Sequence, residues 1–256
     1  MTPLPLARRA RRAALPVALC AGLTVALTAC GGGEDPDAGT NGMGKLSAGE
    51  IETKARAAAN AAASVRLSGT LVSKGGTYKL NMRLKQDGGT GSVTSKDNKF
   101  ELLRLGDALY LKADAGFWTH TDGKTGEKPS KTDVEAAGKL DDKYVKVPKG
   151  DPAYDRFRGF TDMDVLLDTL LGMEGKLSKG DRTQVGGVRT IKVTGGEGEG
   201  GILDVALVGK PYPLQFARAG GAGVLTLGDW DKNFTLAAPA KGETVEFGGQ
   251  LPKASD

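Results

Sequence analysis

The amino-acid sequence predicts an α+β fold in which one large, curved antiparallel β-sheet, a half-barrel, has two or more helices packed in its concave face. Short segments of alternating apolar and polar residues recur through most of the chain and are joined by Gly-rich turns, which is typical of antiparallel strands. Glycine accounts for 39 residues of 256, whereas aromatic residues make up only 5%. Two segments show helical spacing instead, and the apolar inner face of a long twisted sheet needs such helices as a cover.

The strands are indicated by a sequence period of two. In residues 78–84 every second side chain is apolar, which predicts one buried face and one solvated face. The Gly pairs at 75–76 and 88–89 and the Gly106-Asp107 pair are predicted to form hairpin turns. Further strands are predicted at residues 65–71, 91–95, 100–105, 108–112, 143–147, 190–194, 202–208, 214–218, 224–228, 234–236 and 245–247, with a hairpin at 184–188 and a strand beginning at 117–119.

Two helices are predicted from their N-terminal signals. Ser47 and Glu50 have the spacing of a capping box, and small apolar residues then recur at helical spacing, so this helix should pack closely against another element. Thr161 is predicted to be the N-cap of a second helix, which is apolar over most of its circumference. Residues 133–138 are predicted to form a short helical turn.

Residues 1–29 have the features of a signal peptide for secretion. Four arginines precede an apolar run, residues 13–26, that is too short to cross a bilayer comfortably. Leu27-Thr28-Ala29-Cys30 resembles the bacterial lipobox, which implies cleavage before Cys30 and acylation of its thiol. Two or more acyl chains anchor a protein stably, so we expect attachment to the extracytoplasmic face of the plasma membrane. An uncleaved signal or a transmembrane anchor is the alternative.

The predicted domain organisation follows from this signal. Residues 30–46 comprise the acylated cysteine and a Gly-, Asp- and Asn-containing segment that we expect to be a flexible tether. Residues 47–250 are expected to form one domain. Its core must be stabilised without disulfides, because Cys20 lies in the signal and Cys30 is the expected acylation site.

Composition excludes several classes of function. Four of the 35 Lys and Arg residues lie in the signal, which leaves 31 against the 31 Asp and Glu residues of the mature chain. This balance lacks the positive charge of a nucleic-acid-binding protein. His120 is the only histidine, no nucleophile elbow occurs, and Glu197 and Glu199 leave only a weak calcium site open. We therefore expect no catalytic residues, no metal and no cofactor, and we expect that the protein is not an enzyme.

Several segments together resemble the LppX/LprG-type lipoproteins of mycobacteria and related actinobacteria, a family that includes LprA and LprF. They are Val65–Ser73, Tyr78–Leu84, Gly106–Lys112, Asp162–Leu171, Gly186–Ile191 and the turn Gly209–Leu214. The resemblance covers most of residues 47–247. It implies the fold of the LolA/LolB lipoprotein carriers, and it implies that acylated lipids or glycolipids bind in a cavity between sheet and helices and are moved toward the envelope.

Our leading hypothesis is therefore that the protein binds, and transfers, an acylated lipid or glycolipid in a hydrophobic cavity, with an envelope transport protein as a further partner. The alternative is a non-catalytic scaffold whose core is filled by side chains. A solute-binding receptor is disfavoured because no βαβ alternation occurs. The candidate residues for the cavity lining are Met82, Leu84, Tyr110, Met163, Leu166, Leu167, Leu170, Phe216 and Leu225.

Overall fold

A computed structural model describes residues 36–73, 76–95, 98–119 and 130–246. Within these residues, twelve strands form one open sheet in the order β12-β6-β5-β4-β3-β2-β1-β11-β10-β9-β8-β7. The strands are β1 Ser64–Ser73, β2 Gly76–Lys85, β3 Gly88–Thr94, β4 Lys99–Leu105, β5 Ala108–Ala113, β6 Lys143–Val147, β7 Leu177–Val185, β8 Val188–Gly195, β9 Ile202–Ala206, β10 Pro213–Ala217, β11 Gly223–Gly228 and β12 Thr244–Glu246.

The sheet is antiparallel except at one edge. Strands β1 to β6 form one meander and β7 to β11 form another, and the two meet where β1 pairs with β11. The short strand β12 pairs with β6 in parallel, so the sheet is mixed rather than purely antiparallel as predicted. The predicted large α+β sheet covered by helices is confirmed.

Alternation gives the sheet one apolar face, which we call the inner face. Register aligns the buried side chains across strands, so that Leu67 lies opposite both Met82 and Leu227. Residues of the inner face are at most 6% exposed and belong to one core: Val65, Leu67, Leu80, Met82, Leu84, Val93, Phe100, Leu102, Leu109, Leu111, Val145, Val147, Ile191, Val193, Leu203, Val205, Phe216, Leu225 and Leu227.

Five helices in the described residues cover this face. They are α1 Ala48–Asn60, α2 Ala115–Thr119, α3 Lys131–Leu140, α4 Pro152–Gly159 and α5 Met163–Leu170. Helix α1 contacts strands β7 to β10 and also α5, α2 contacts β5, and α3 contacts β6. The predicted capping box is present, because Glu50 N–H donates to Ser47 Oγ and Ser47 N–H donates to Glu50 Oε2.

Several local predictions are wrong for identifiable reasons. Gly88 and Gly89 begin strand β3, because the tight turn uses Gln86 and Asp87 instead. Residues 117–119 belong to helix α2 rather than to a strand. The N-cap of α5 is Asp162, whose side chain accepts from Val165 N–H, and Thr161 lies just before it.

Residues 37–46, which we predicted to be the end of a flexible tether, are bound to the sheet. Asp37 forms an ion pair of 2.7 Å with Arg182 on β7. Asn41 N–H donates to the carbonyl of Leu207, and the side chain of Met43 is buried in the core. The compact unit therefore begins at Asp37 rather than Ser47.

Residues 229–243, which we call the strap, join β11 to β12 without regular structure and run over the outer face of the sheet. The predicted strand at 234–236 is absent from this segment. The guanidinium of Arg83 lies 5.9 Å from the ring centre of Phe234, over β2. A Cβ added to Gly88 would lie 2.9 Å from Leu236 Cδ1, so the strap also packs closely on β3.

Candidate functional site

The candidate site is the apolar layer between the inner face of the sheet and the helices. Eight of the nine predicted lining residues belong to this one core, and each is at most 6% exposed: Met82, Leu84, Met163, Leu166, Leu167, Leu170, Phe216 and Leu225. Helix α5 turns its other side outward, and Val165 is 51% exposed. Burial of this kind is required both of a filled core and of an apolar lining, so the assignment as lining stays a prediction.

Tyr110 does not share this layer. Its neighbours in β5, Leu109 and Leu111, are fully buried on the inner face, so Tyr110 points to the outer face by the alternation of the strand. Its ring instead makes an edge-to-face contact with Tyr144, with ring centres 6.5 Å apart. The prediction that Tyr110 lines the cavity is therefore wrong, because the alternation of β5 turns Leu109 and Leu111 inward instead.

Glycines in β3 let other groups come close to the sheet. A Cβ at Gly89 would lie 3.0 Å from the carbonyl oxygen of Thr161 and 2.7 Å from Leu84 Cδ2. A Cβ at Gly91 would lie 2.7 Å from Met82 Sδ. These two glycines therefore leave room on the inner face of β3, and the α4–α5 junction and the Met82 side chain occupy that room.

A buried cation fixes the junction between α4 and α5. Arg104 is 6% exposed and lies on the inner face of β4. Its Nε and Nη2 donate to the carbonyl of Thr161 at 3.3 and 2.9 Å, and Nη1 donates to the carbonyl of Gly106 at 3.0 Å. Tyr154 of α4 also donates to the carbonyl of Asp107 at 2.9 Å. The helical cover is thus tied to the β4–β5 turn.

Aromatic side chains fill the layer near the start of β4. Phe100 contacts Phe117 and Phe157 with ring centres 5.7 and 5.5 Å apart, and Phe117 contacts Trp118 at 5.1 Å. We did not predict this cluster, because helix α4 was missed. Its signals were present in the sequence: Asp151 caps the helix by accepting from Ala153 N–H, and a proline follows directly.

Some predicted features lie outside the described residues, namely Cys30, the signal peptide and His120. In the described ranges, no group of three or more His, Cys, Asp or Glu side chains is arranged to hold a metal ion, and this includes Glu197 and Glu199. Of the helices that the structure describes, none has the length and hydropathy to cross a membrane.

Comparison with solved structures identifies the architecture. The crystal structure of LprF from Mycobacterium bovis superposes with a TM-score of 0.51 at 16% sequence identity, covering 75% of this chain and 97% of LprF. The chain has the fold of LprF. The resemblance that was predicted from sequence motifs is therefore confirmed at the level of the fold. No protein-family model and no curated protein sequence matches this chain.

The LprF fold also explains the arrangement of the site. Nearly the whole of LprF is covered, so the sheet and its helical cover are both part of the shared architecture. In this chain the layer between them consists of aliphatic, Met and aromatic side chains from the sheet and the helices. Its one described charged residue is Arg104, whose three hydrogen bonds go to backbone carbonyls.

Proposed function

We propose that this chain is a lipid-anchored lipoprotein of the extracytoplasmic membrane face that binds the acyl chains of a lipid or glycolipid between the inner face and the helical cover. The observation that carries the proposal is the continuous apolar layer between an open sheet and the helices that the structure describes. The fold shared with LprF, itself one of the lipoproteins that the sequence resembles, supports the same assignment.

Binding would be passive burial rather than chemistry. Each methylene removed from water contributes about 0.8 kcal/mol, so a 16-carbon chain would gain roughly 12 kcal/mol before the costs of binding are subtracted. The ligand can enter only if part of the cover moves. The C-terminal part of helix α5 suits this role. Arg104 fixes the junction at the start of the helix, whereas the described polar link of α5 to α1 is one exposed ion pair, Arg56 with Asp168 at 3.1 Å. Such exposed pairs contribute little to stability.

Acylation of Cys30 would keep the domain close to its lipid source. Only six residues separate Cys30 from Asp37, which is bound to the sheet. Seven Cα-to-Cα steps span at most about 25 Å. The domain would then work at the membrane surface, where it could accept a lipid and pass it to an envelope transport protein.

The proposal is tested by extracting the full-length protein from its own membrane and measuring copurifying lipid by native mass spectrometry, followed by uptake of a fluorescent acyl probe. Leu167→Trp adds volume beneath α5, and Val165→Trp adds the same group on the exposed side of the helix. If the layer accepts acyl chains, Leu167→Trp reduces probe uptake at least fivefold with little loss of stability, whereas Val165→Trp leaves uptake unchanged.

The alternative function is that of a non-catalytic scaffold whose core is filled by side chains. It predicts different results in the same experiments. The observation in its favour is that Met82, Leu84 and Leu167 are at most 1% exposed. In that case the wild-type protein carries no lipid and takes up no probe. Leu167→Trp then overpacks the core and lowers the free energy of unfolding by about 1–3 kcal/mol. This pair of results would overturn the lipid-binding proposal.

A further inference from the structure

A small cleft lies on the outer face of the sheet, on the side away from the proposed lipid layer. It has a volume of about 120 Å³ and lies where the strap leaves β11 and crosses β1 and β2. The polar and aromatic residues that line it are Ser64, Arg66, Arg83, Asp229, Lys232, Asn233 and Phe234. A cleft of this volume has room for a small anion.

Two arginines face each other across this cleft. Arg66 and Arg83 are directly opposite in the antiparallel pairing of β1 with β2, and both line the cleft. Like charges directly opposite in a sheet destabilise the pairing. Among the residues that the structure describes, neither arginine forms an ion pair: Arg66 donates to Asn81 at 3.4 Å, and Arg83 lies over the ring of Phe234. The repulsion is therefore offset only in part, by the nearby carboxylate of Asp229, which pairs with neither arginine.

Among the described residues that line the cleft there is one carboxylate, and it is already engaged. Asp229 accepts from Lys232 Nζ at 2.7 Å. That hydrogen bond, with smaller contributions from the charges of Arg66 and Arg83, lowers the pKa of Asp229 from its ordinary value, so the carboxylate stays ionised at neutral pH. Three cations against one carboxylate leave a surplus of two positive charges in the cleft.

We propose that this cleft binds a phosphate group, either the phosphate of a lipid headgroup or free phosphate. Guanidinium groups donate paired N–H bonds that match phosphate oxygens. An anion between Arg66 and Arg83 would also remove the repulsion between them. The ring of Phe234 sets the position of Arg83 through a cation–π contact, and Lys232 supplies a third donor. This site does not depend on whether the inner face binds acyl chains.

The test is calorimetric titration of the full-length protein in nonionic detergent at pH 7.5 and low salt. The two probes are inorganic phosphate and glycerophosphoglycerol, which is the headgroup of phosphatidylglycerol without acyl chains. Saturable binding of phosphate alone assigns the site to free phosphate, and binding of the diester assigns it to a headgroup. In either case added sodium chloride should weaken binding. Failure of both probes to bind would overturn the proposal.

Matched variants test the residues. Arg83→Gln and Arg66→Gln each remove one guanidinium and should weaken binding about tenfold or more. Lys79→Gln removes one charge from the same strand and the same outer face but lies outside the cleft, so affinity should stay within about twofold. Thermal unfolding identifies any variant that fails to fold. If one arginine variant fails to fold, the binding affinity of the other arginine variant tests the proposal. If Lys79→Gln weakens binding as much as the arginine variants, diffuse surface charge is responsible and the proposed site is wrong.

Discussion

The buried guanidinium of Arg104 makes a strong prediction about the helical cover. Arg104→Met keeps the length and apolar stem of the side chain but removes three hydrogen bonds to the carbonyls of Thr161 and Gly106. Thr161 is fully buried, so water cannot easily replace the lost donor at its carbonyl. Each bond from a charged donor contributes roughly 1.5–3 kcal/mol, and relief from burying the charge offsets part of the total.

We therefore expect Arg104→Met to lower the free energy of unfolding by about 2–4 kcal/mol in urea denaturation followed by far-UV circular dichroism. Arg104→Lys keeps the charge but loses the planar fork, and it should cost about half as much. The slope of the free energy against urea should stay constant, because the same surface is exposed on unfolding. If Arg104→Met is as stable as the wild type, desolvation of the guanidinium outweighs its bonds, and the junction of α4 and α5 is fixed by packing alone.

Two further predictions concern local anchors. Lys210 and Tyr212 donate to Asp231 at 2.7 and 2.6 Å and hold the pKa of that carboxyl far below its ordinary 3.8. The stabilisation by these bonds is thus present above pH 4 and is lost as the pH falls below 4. Asp231→Asn should lower the free energy of unfolding by about 1 kcal/mol in thermal unfolding at pH 7. A loss of stability that is equally large at pH 3 would contradict this. Asp151→Ala removes the N-cap of α4, which accepts from Ala153 N–H, and should lower the urea unfolding free energy by about 1 kcal/mol; a change below about 0.3 would refute the capping role.

The strands were predictable because their signal is local. One buried face in a half-exposed sheet forces a period of two, and the segment from Tyr78 to Leu84 displays that period without interruption. The Gly106-Asp107 turn was predictable for the same reason, since a tight turn restricts its own residues. Gly88 and Gly89 were misread because glycine serves two purposes, and at Gly89 it permits a close approach rather than a turn.

The remaining features depend on contacts that are distant in sequence. Phe234 is apolar like a residue of a buried strand, but it lies on the outer face, where its ring contacts the guanidinium of Arg83. Asp37 looks like part of a polar linker until Arg182, which is 145 positions further along the chain, is placed beside it. The burial of eight candidate residues was predictable from the inward-facing pattern, whereas Tyr110 lies on the outer face because Leu109 and Leu111 of the same strand point inward.

The two edges of the sheet determine whether copies of this protein can associate by adding strands to one another. Strand β12 has only three residues, and β7 carries Lys179, Asp181 and Arg182 at an irregularity in its pairing with β8. Short strands, bulges and charged side chains all oppose the addition of a foreign strand. Neighbouring copies of the chain should therefore resist edge-to-edge association, and each would remain a separate unit.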